Sequence, residues 1–167
     1  SLYVGESGKI IPGMEEIVAR LPPNTARMHL LGGLPVATDK RERYGLAWER
    51  ILAMVKALYD AKVTLVIGTD DLGGVMLHHE LALFARAGVP NAAILRMATT
   101  EAARSLGLQR QVGSIAKGLR ADLVVVDGDP LTRIEDASRV VTVVRGDVMF
   151  DAAAVSRSTN VAPVVGR

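Results

Sequence analysis

The chain has no cysteine among its 167 residues. A disulfide framework is therefore excluded, and so is any thiolate site, catalytic or metal-binding. Histidine is scarce: His29, His78 and His79 are the only ones. Aromatics make up 4% and the formal net charge is only +2. There is no basic stripe with interleaved aromatics, so no nucleic-acid partner is expected. No apolar run approaches the roughly 18 residues that a membrane span requires, and the N-terminus lacks a signal-peptide pattern. No membrane partner is expected, and a cytoplasmic location is, since a cysteine-free chain fits a reducing compartment. The chain opens at Ser1 without an initiator Met, which fits a cut or processed chain.

What is present is ordinary for a globular protein: 49% hydrophobic and 23% charged residues, at a length that can bury a sizeable core. Residues 1–45 are rich in Gly and Pro, with one short helical pattern, "MEEIVARL", from Met14 to Leu21. Its acids come early and its Arg late, as the helix dipole favours. From Leu46 the chain takes up an α/β rhythm. Trp48, Ile51, Leu52, Val55, Leu58 and Tyr59 recur at helical spacing and predict a helix over Leu46–Ala61. Lys62–Thr69 then reads as a strand buried on both faces, because its Val/Ile/Leu run does not alternate. A helix over Met76–Ala87 comes next, closed by Gly88 and stopped by Pro90. Asn91 is expected to cap "AAILRMA" and Thr100 to cap "EAARSL". Met54, Met76 and Met97 fall at core-like positions on these helices.

The period changes after Gln109. "ADLVVVDGDP" reads as a strand ended by a turn, and "LTRIEDASR" as a short polar connection. "VVTVVRGDVMF" reads as a β-hairpin turning at Arg145–Gly146–Asp147. The final stretch has no clear period and is expected to trail as an extended arm.

The candidate chemistry lies where the apolar run "VTLVIG" meets Thr69 and two carboxylates, Asp70 and Asp71. In parallel α/β sheets, functional groups gather at the carboxyl ends of strands. Gly68 would let the backbone approach a neighbour closely, and the Thr69 hydroxyl can orient a carboxylate. Asp70 could bind a metal or accept a proton from water, or simply cap the next loop or helix; position alone leaves both open. "HHE" at His78–Glu80 is not the H-E-x-x-H zinc signature, since Ala82 and Leu83 stand four residues after the two histidines. Adjacent helical residues point about 100° apart, so His78 and His79 are expected to be one packed and one hydrated, with Glu80 on the helix surface. His29 is expected to be structural or exposed. "GTDDLGG" lacks the Lys and Ser/Thr of a phosphate loop.

Four motifs occur in order: a strand ending in Gly-Thr-Asp, "HHELALFARAGVP", "ATTEAARSLG", and "GSIAKGLRADLVVVDGDPL". Over roughly Leu46–Asp151 the chain resembles the C-terminal third of the amidohydrolase superfamily, nearest to imidazolonepropionase-like and prolidase-like members. That resemblance implies a (β/α)8 barrel with a metal site at the carboxyl ends of its strands. It assigns Asp70 as the metal-ligating and catalytic aspartate, which also takes up the proton of the attacking water. It implies a divalent metal, zinc, in a longer parent. It implies none held by this chain alone, because the upstream His-x-His and the other histidine strands are missing. Lys62 stands where relatives usually carry a helix-ending Gly.

The expected fold is thus α/β: the last one or two β/α units of a partial (β/α)8 barrel with a helical extension, then C-terminal antiparallel strands of a small composite β domain. The expected division is 1–108 barrel part, 109–153 β-domain strands, and 154–167 tail. The resemblance implies a parent that hydrolyses C–N bonds in small-molecule amide, cyclic amide or dipeptide-like substrates, with this portion inactive alone. A non-catalytic assembly module and one half of a split enzyme are the alternatives. Strand edges without partners predict a homo-oligomer, most simply a dimer.

Overall fold

The computed structural model describes residues 8–10, 14–30, 36–69, 75–159 and 161. Asp70 and Asp71 lie outside them.

Two short helices come first, α1 (Glu15–Val18) and α2 (Pro23–Met28). A 3-10 turn at Thr38–Lys40 leads into α3 (Arg41–Asp60), which starts five residues before the periodic apolar signal. Arg41, Glu42 and Arg43 are good helix formers and carry the helix outward on intrinsic propensity, with that first turn exposed. The other face of α3 is apolar and buries Leu52.

Three helices end in the same hydrogen-bonded closure. After α3, the Val63 N–H donates to Leu58 O and the Lys62 N–H to Tyr59 O, with Lys62 at φ 61°. After α4 (Val75–Arg86), Val89 donates to Phe84 O and Gly88 to Ala85 O; after α6 (Thr100–Ser105), Leu108 donates to Ala103 O and Gly107 to Arg104 O. Each pair satisfies two carbonyls that a helix end leaves open, and each needs a left-handed residue. Glycine supplies it at 88 and 107; at 62 a lysine does, at a steric cost glycine would avoid.

Residues 62–69 do not form the expected strand. After the turn at Lys62 they follow α3 without regular secondary structure and belong to no sheet among the described residues. Leu65 and Ile67 pack on the core, whereas Val63 and Val66 remain 48% and 46% exposed. The residue pattern is that of a doubly buried strand, but a strand also needs neighbours for its ladder, and the described chain supplies cover on one side only.

The core is a helical one. Leu81 of α4, Val89, and Ala93, Ile94 and Met97 of α5 (Asn91–Ala98) form its centre. Val55 and Tyr59 of α3, with Leu65 and Ile67, close one side. Ile134, 3% exposed, closes it as well. That residue belongs to a 3-10 helix, Ile134–Ser138, inside what reads as a polar connection. Met97 is core as expected, but Met54 is 55% exposed on the outer face of α3. Asn91 is the first residue of α5 and not its cap; its side-chain amide donates to Leu131 O. Thr100 likewise starts α6, and its hydroxyl donates back to Arg96 O while that of Thr99 donates to Leu95 O. Threonine hydroxyls can bond a carbonyl four residues back, and here that outcompetes capping.

The antiparallel sheet is as expected: β1 (Asp122–Val126), β2 (Val140–Arg145) and β3 (Val148–Asp151), in that order. Leu123, Val144 and Met149 align on one face, and Val124, Val143 and Phe150 on the other. Residues 155–159, at the start of the stretch expected to trail as an arm, instead belong to α7 (Ala152–Thr159), packed on β2 and β3, and residues 160 and 162–167 lie outside the described residues. The Asp151 carboxylate accepts the Ala154 N–H and caps it, a signal the composition of the tail hides.

Candidate functional site

The candidate site is approached along residues 63–69, which end in Gly68 and Thr69, where the described chain stops short of Asp70. The chain resumes at Val75, the first residue of α4. Asp70, the sequence-derived catalytic and metal residue, therefore lies outside the described residues, between the end of the core-packed segment and the start of α4. A side chain on Gly68 would meet nothing within 4 Å, so the glycine there serves no close packing among the described residues.

Downstream of that point, α4 carries His78, His79 and Glu80. Of the two imidazoles expected as one packed and one hydrated, His79 is buried and His78 is half-buried. His79 is 8% exposed, and His78 has its Nδ1 buried without a hydrogen-bond partner. Burial holds both imidazoles below the usual histidine range, and Arg20, in the turn closing α1, adds to this at His78. Burial also raises the Glu80 carboxyl, which is half-buried and not a surface group. Met14 and Val18 of the N-terminal segment are buried, and Arg20 lies close enough to His78 to act on its charge. His29, half-buried, caps the C-terminal end of α2.

Among the described residues, no three histidine, aspartate or glutamate side chains come together in a group that could hold a metal ion. The described residues alone therefore offer no such donor set for a metal ion.

A second polar constellation, unforeseen from sequence, holds the loop between β1 and β2. Asp136 is buried; its carboxylate accepts the Asp129 N–H at 3.1 Å and the Arg133 Nε and Nη2 donors at 2.9 and 2.6 Å. These bonds hold it below the usual carboxylate range, the Asp129 N–H first and Arg133 next. Asp129 accepts from the Thr132 hydroxyl at 2.7 Å and the Leu131 N–H at 3.0 Å, and Arg139 pairs with Asp127 at 2.7 Å. A side chain on Gly128 would sit 2.7 Å from the Asp136 carboxylate. This knot is structural: its oxygens are taken up by the chain itself, and it fastens Ile134 into the core. The "DGDP" turn followed by an acid seven residues after Asp129 is the signal that could have found it.

Comparisons with known proteins fit this layout. A family model described as "Amidohydrolase family" matches residues 36–149, from just before α3 to the hairpin's second strand. A 5-methylthioadenosine/S-adenosylhomocysteine deaminase from Syntrophobacter fumaroxidans is 35% identical over 88 residues, covering 46% of this chain and 20% of the deaminase. A solved Xaa-Pro dipeptidase with bound methionine superposes with a TM-score of 0.60 at 22% identity, over 82% of this chain and 32% of that one. At that identity it shows the fold alone. A prolidase complexed with N-methylphosphonate-L-proline superposes with a TM-score of 0.54 at 28% identity, over 78% of this chain and 30% of that one. The chain thus spans about a fifth to a third of the length of these relatives.

Proposed function

The chain belongs to the amidohydrolase family, and from that premise we propose that it forms the C-terminal portion of a hydrolase that cleaves C–N bonds in small molecules. One observation carries the reading. The family match runs unbroken from α3 through residues 63–69, the α4–α5 core and the β-hairpin. Motif order and element order agree over that whole stretch. The related deaminase acts, by its name, on an aminated purine nucleoside; the prolidase, by its name, acts on proline dipeptides. Both chemistries release nitrogen from carbon by adding water.

In this reading residues 63–69 are the last strand of a barrel whose other strands lie outside the described chain. The bare side of that segment, with Val63 and Val66 exposed, supports it. Asp70 is the acid this portion contributes. The metal of the parent, zinc, draws its remaining ligands from elsewhere, because the described residues assemble no such set. The apolar residues left open on both faces of the sheet favour association, most simply as a homodimer.

The test is substrate turnover by the longer parent protein. Ammonia release from aminated purine nucleosides and proline release from Xaa-Pro dipeptides, each run with added zinc, separate the two chemistries. Saturable turnover of either supports the proposal. No hydrolysis of these, nor of simple and cyclic amides, by a folded zinc-supplied protein overturns it and favours a non-catalytic module.

A further inference from the structure

β1 is an outer strand of the sheet, with no strand on its free side among the described residues. Ala121 O accepts the Gly146 N–H, and the Asp127 N–H donates to Arg139 O. Odd-numbered residues of β1 thus turn their main-chain groups towards β2. The irregularity after Val125 puts the extra residue, Val141, on β2 and leaves the alternation of β1 intact. The main-chain groups of Val124 and Val126 therefore point away from β2. Those of Asp122 do too, but its N–H already donates to Arg120 O. The side chains are apolar on both faces, with Val124 and Val125 58% and 51% exposed. Outer strands are commonly blunted by charge or proline. β1 has no proline, and its one charge, Asp122, is taken up by the Arg120 Nε at 2.7 Å.

Resting on the association argued above, we propose that two copies of this chain join through β1, antiparallel across a two-fold axis at Val124, into one continuous sheet. Antiparallel neighbours match outward-pointing residues with outward-pointing residues, which sets Val124 opposite Val124 and Asp122 opposite Val126. Each Val124 N–H then donates to the Val124 carbonyl of the second copy, and each Val126 N–H to an Asp122 carbonyl. Leu123 lies opposite Val125 on the other face, so apolar meets apolar. The two Asp122 carboxylates stay at opposite ends of the pairing, away from the like-charge contact that destabilises facing strands.

The other outer strand, β3, is barred by its own charges. Val144, opposite Leu123, turns its main-chain groups to β1, so Arg145 and its partner Val148 bond each other and Met149 points outward. A pairing of two copies centred on Met149 sets Asp147 of one against Asp151 of the other, at both ends. Asp151 is also committed to capping α7, which follows β3 without a break.

The chain has no cysteine, so one introduced at a chosen site carries a spin label alone. Pairing at β1 sets the residue-124 positions of the two copies about 5 Å apart at Cβ, and the residue-149 positions five strand spacings apart, about 24 Å. Labels on Val124→Cys should couple strongly in frozen solution, and those on Met149→Cys should show the long distance. In sedimentation, Val124→Lys should weaken the dimer about 10-fold or more, because it sets like charges opposite each other. Val148→Lys, on the same face but far from the axis, should leave it unchanged. Should Val124→Lys fail to fold, the label distances decide. Distant labels at 124 in a dimer, or equal weakening by the two lysines, overturn the β1 pairing and leave association standing. A folded monomer overturns both and leaves the edge to a strand of the longer parent. None of these readouts depends on turnover, which tests the hydrolase reading separately.

Discussion

Gly113 gives the sharpest test of how the loop before β1 is seated on the helices. Its φ is +97°, a conformation L residues rarely adopt. A Cβ there would lie 2.6 Å from the Ala103 Cβ, 3.0 Å from Thr99 O and 3.3 Å from Thr100 Cα. Carbon contacts settle at about 3.5–4.0 Å. The added methyl therefore meets the backbone of the α5–α6 junction and has no flexible side chain to displace. Gly113→Ala should cost about 1–3 kcal/mol for the strained backbone and about 1–3 kcal/mol for overpacking. Gly118 isolates the first part. Its φ is +89°, yet a Cβ there meets nothing within 4 Å. Gly118→Ala should lose only the strain, about 1–3 kcal/mol. Urea unfolding followed by helical circular dichroism measures both, with unchanged slopes as the check on a common unfolded state. Equal losses at the two sites, or no loss at Gly113, would refute the close approach.

Three other perturbations have defined outcomes. Ile94→Ala, at a fully buried position, should destabilise by about 2–5 kcal/mol in the same assay, whereas Met54→Ala on the outer face of α3 should stay within about 0.5 kcal/mol. Asp136→Asn should lower Tm by several degrees at pH 7. The native carboxyl is held below its unfolded value, so its contribution is complete above about pH 3.9 and fades as pH falls further; the gap between variant and wild type should close only there. Sedimentation at micromolar concentration should show self-association of this chain, and a sharp monomer with a cooperative melt would count against unpartnered strand edges.

The helices and the hairpin were legible in the sequence for local reasons. The apolar period of α3, the Gly88–Pro90 stop after α4, and the Arg145–Gly146–Asp147 turn each encode their own geometry. Lys62 was legible as a departure from glycine, and it does take the left-handed position. What the sequence hid depends on partners distant along the chain. Residues 63–69 carry the composition of a buried strand, but no composition states whether neighbours are present. Ile134 hides among polar residues because its burial is arranged by Asp136, two residues on. The candidate site was legible only through family resemblance; no local pattern distinguishes Asp70 from Asp71.

The distinction between those two acids is therefore the most direct measurement. In the longer parent, Asp70→Asn and Asp71→Asn each remove one charge at nearly constant shape, and kcat can be measured on whichever C–N substrate is turned over. The account predicts a loss of about 10²-fold or more for Asp70→Asn, the scale of a lost acid–base group, and a small effect for its neighbour. Equal losses, or full activity in Asp70→Asn, would contradict it.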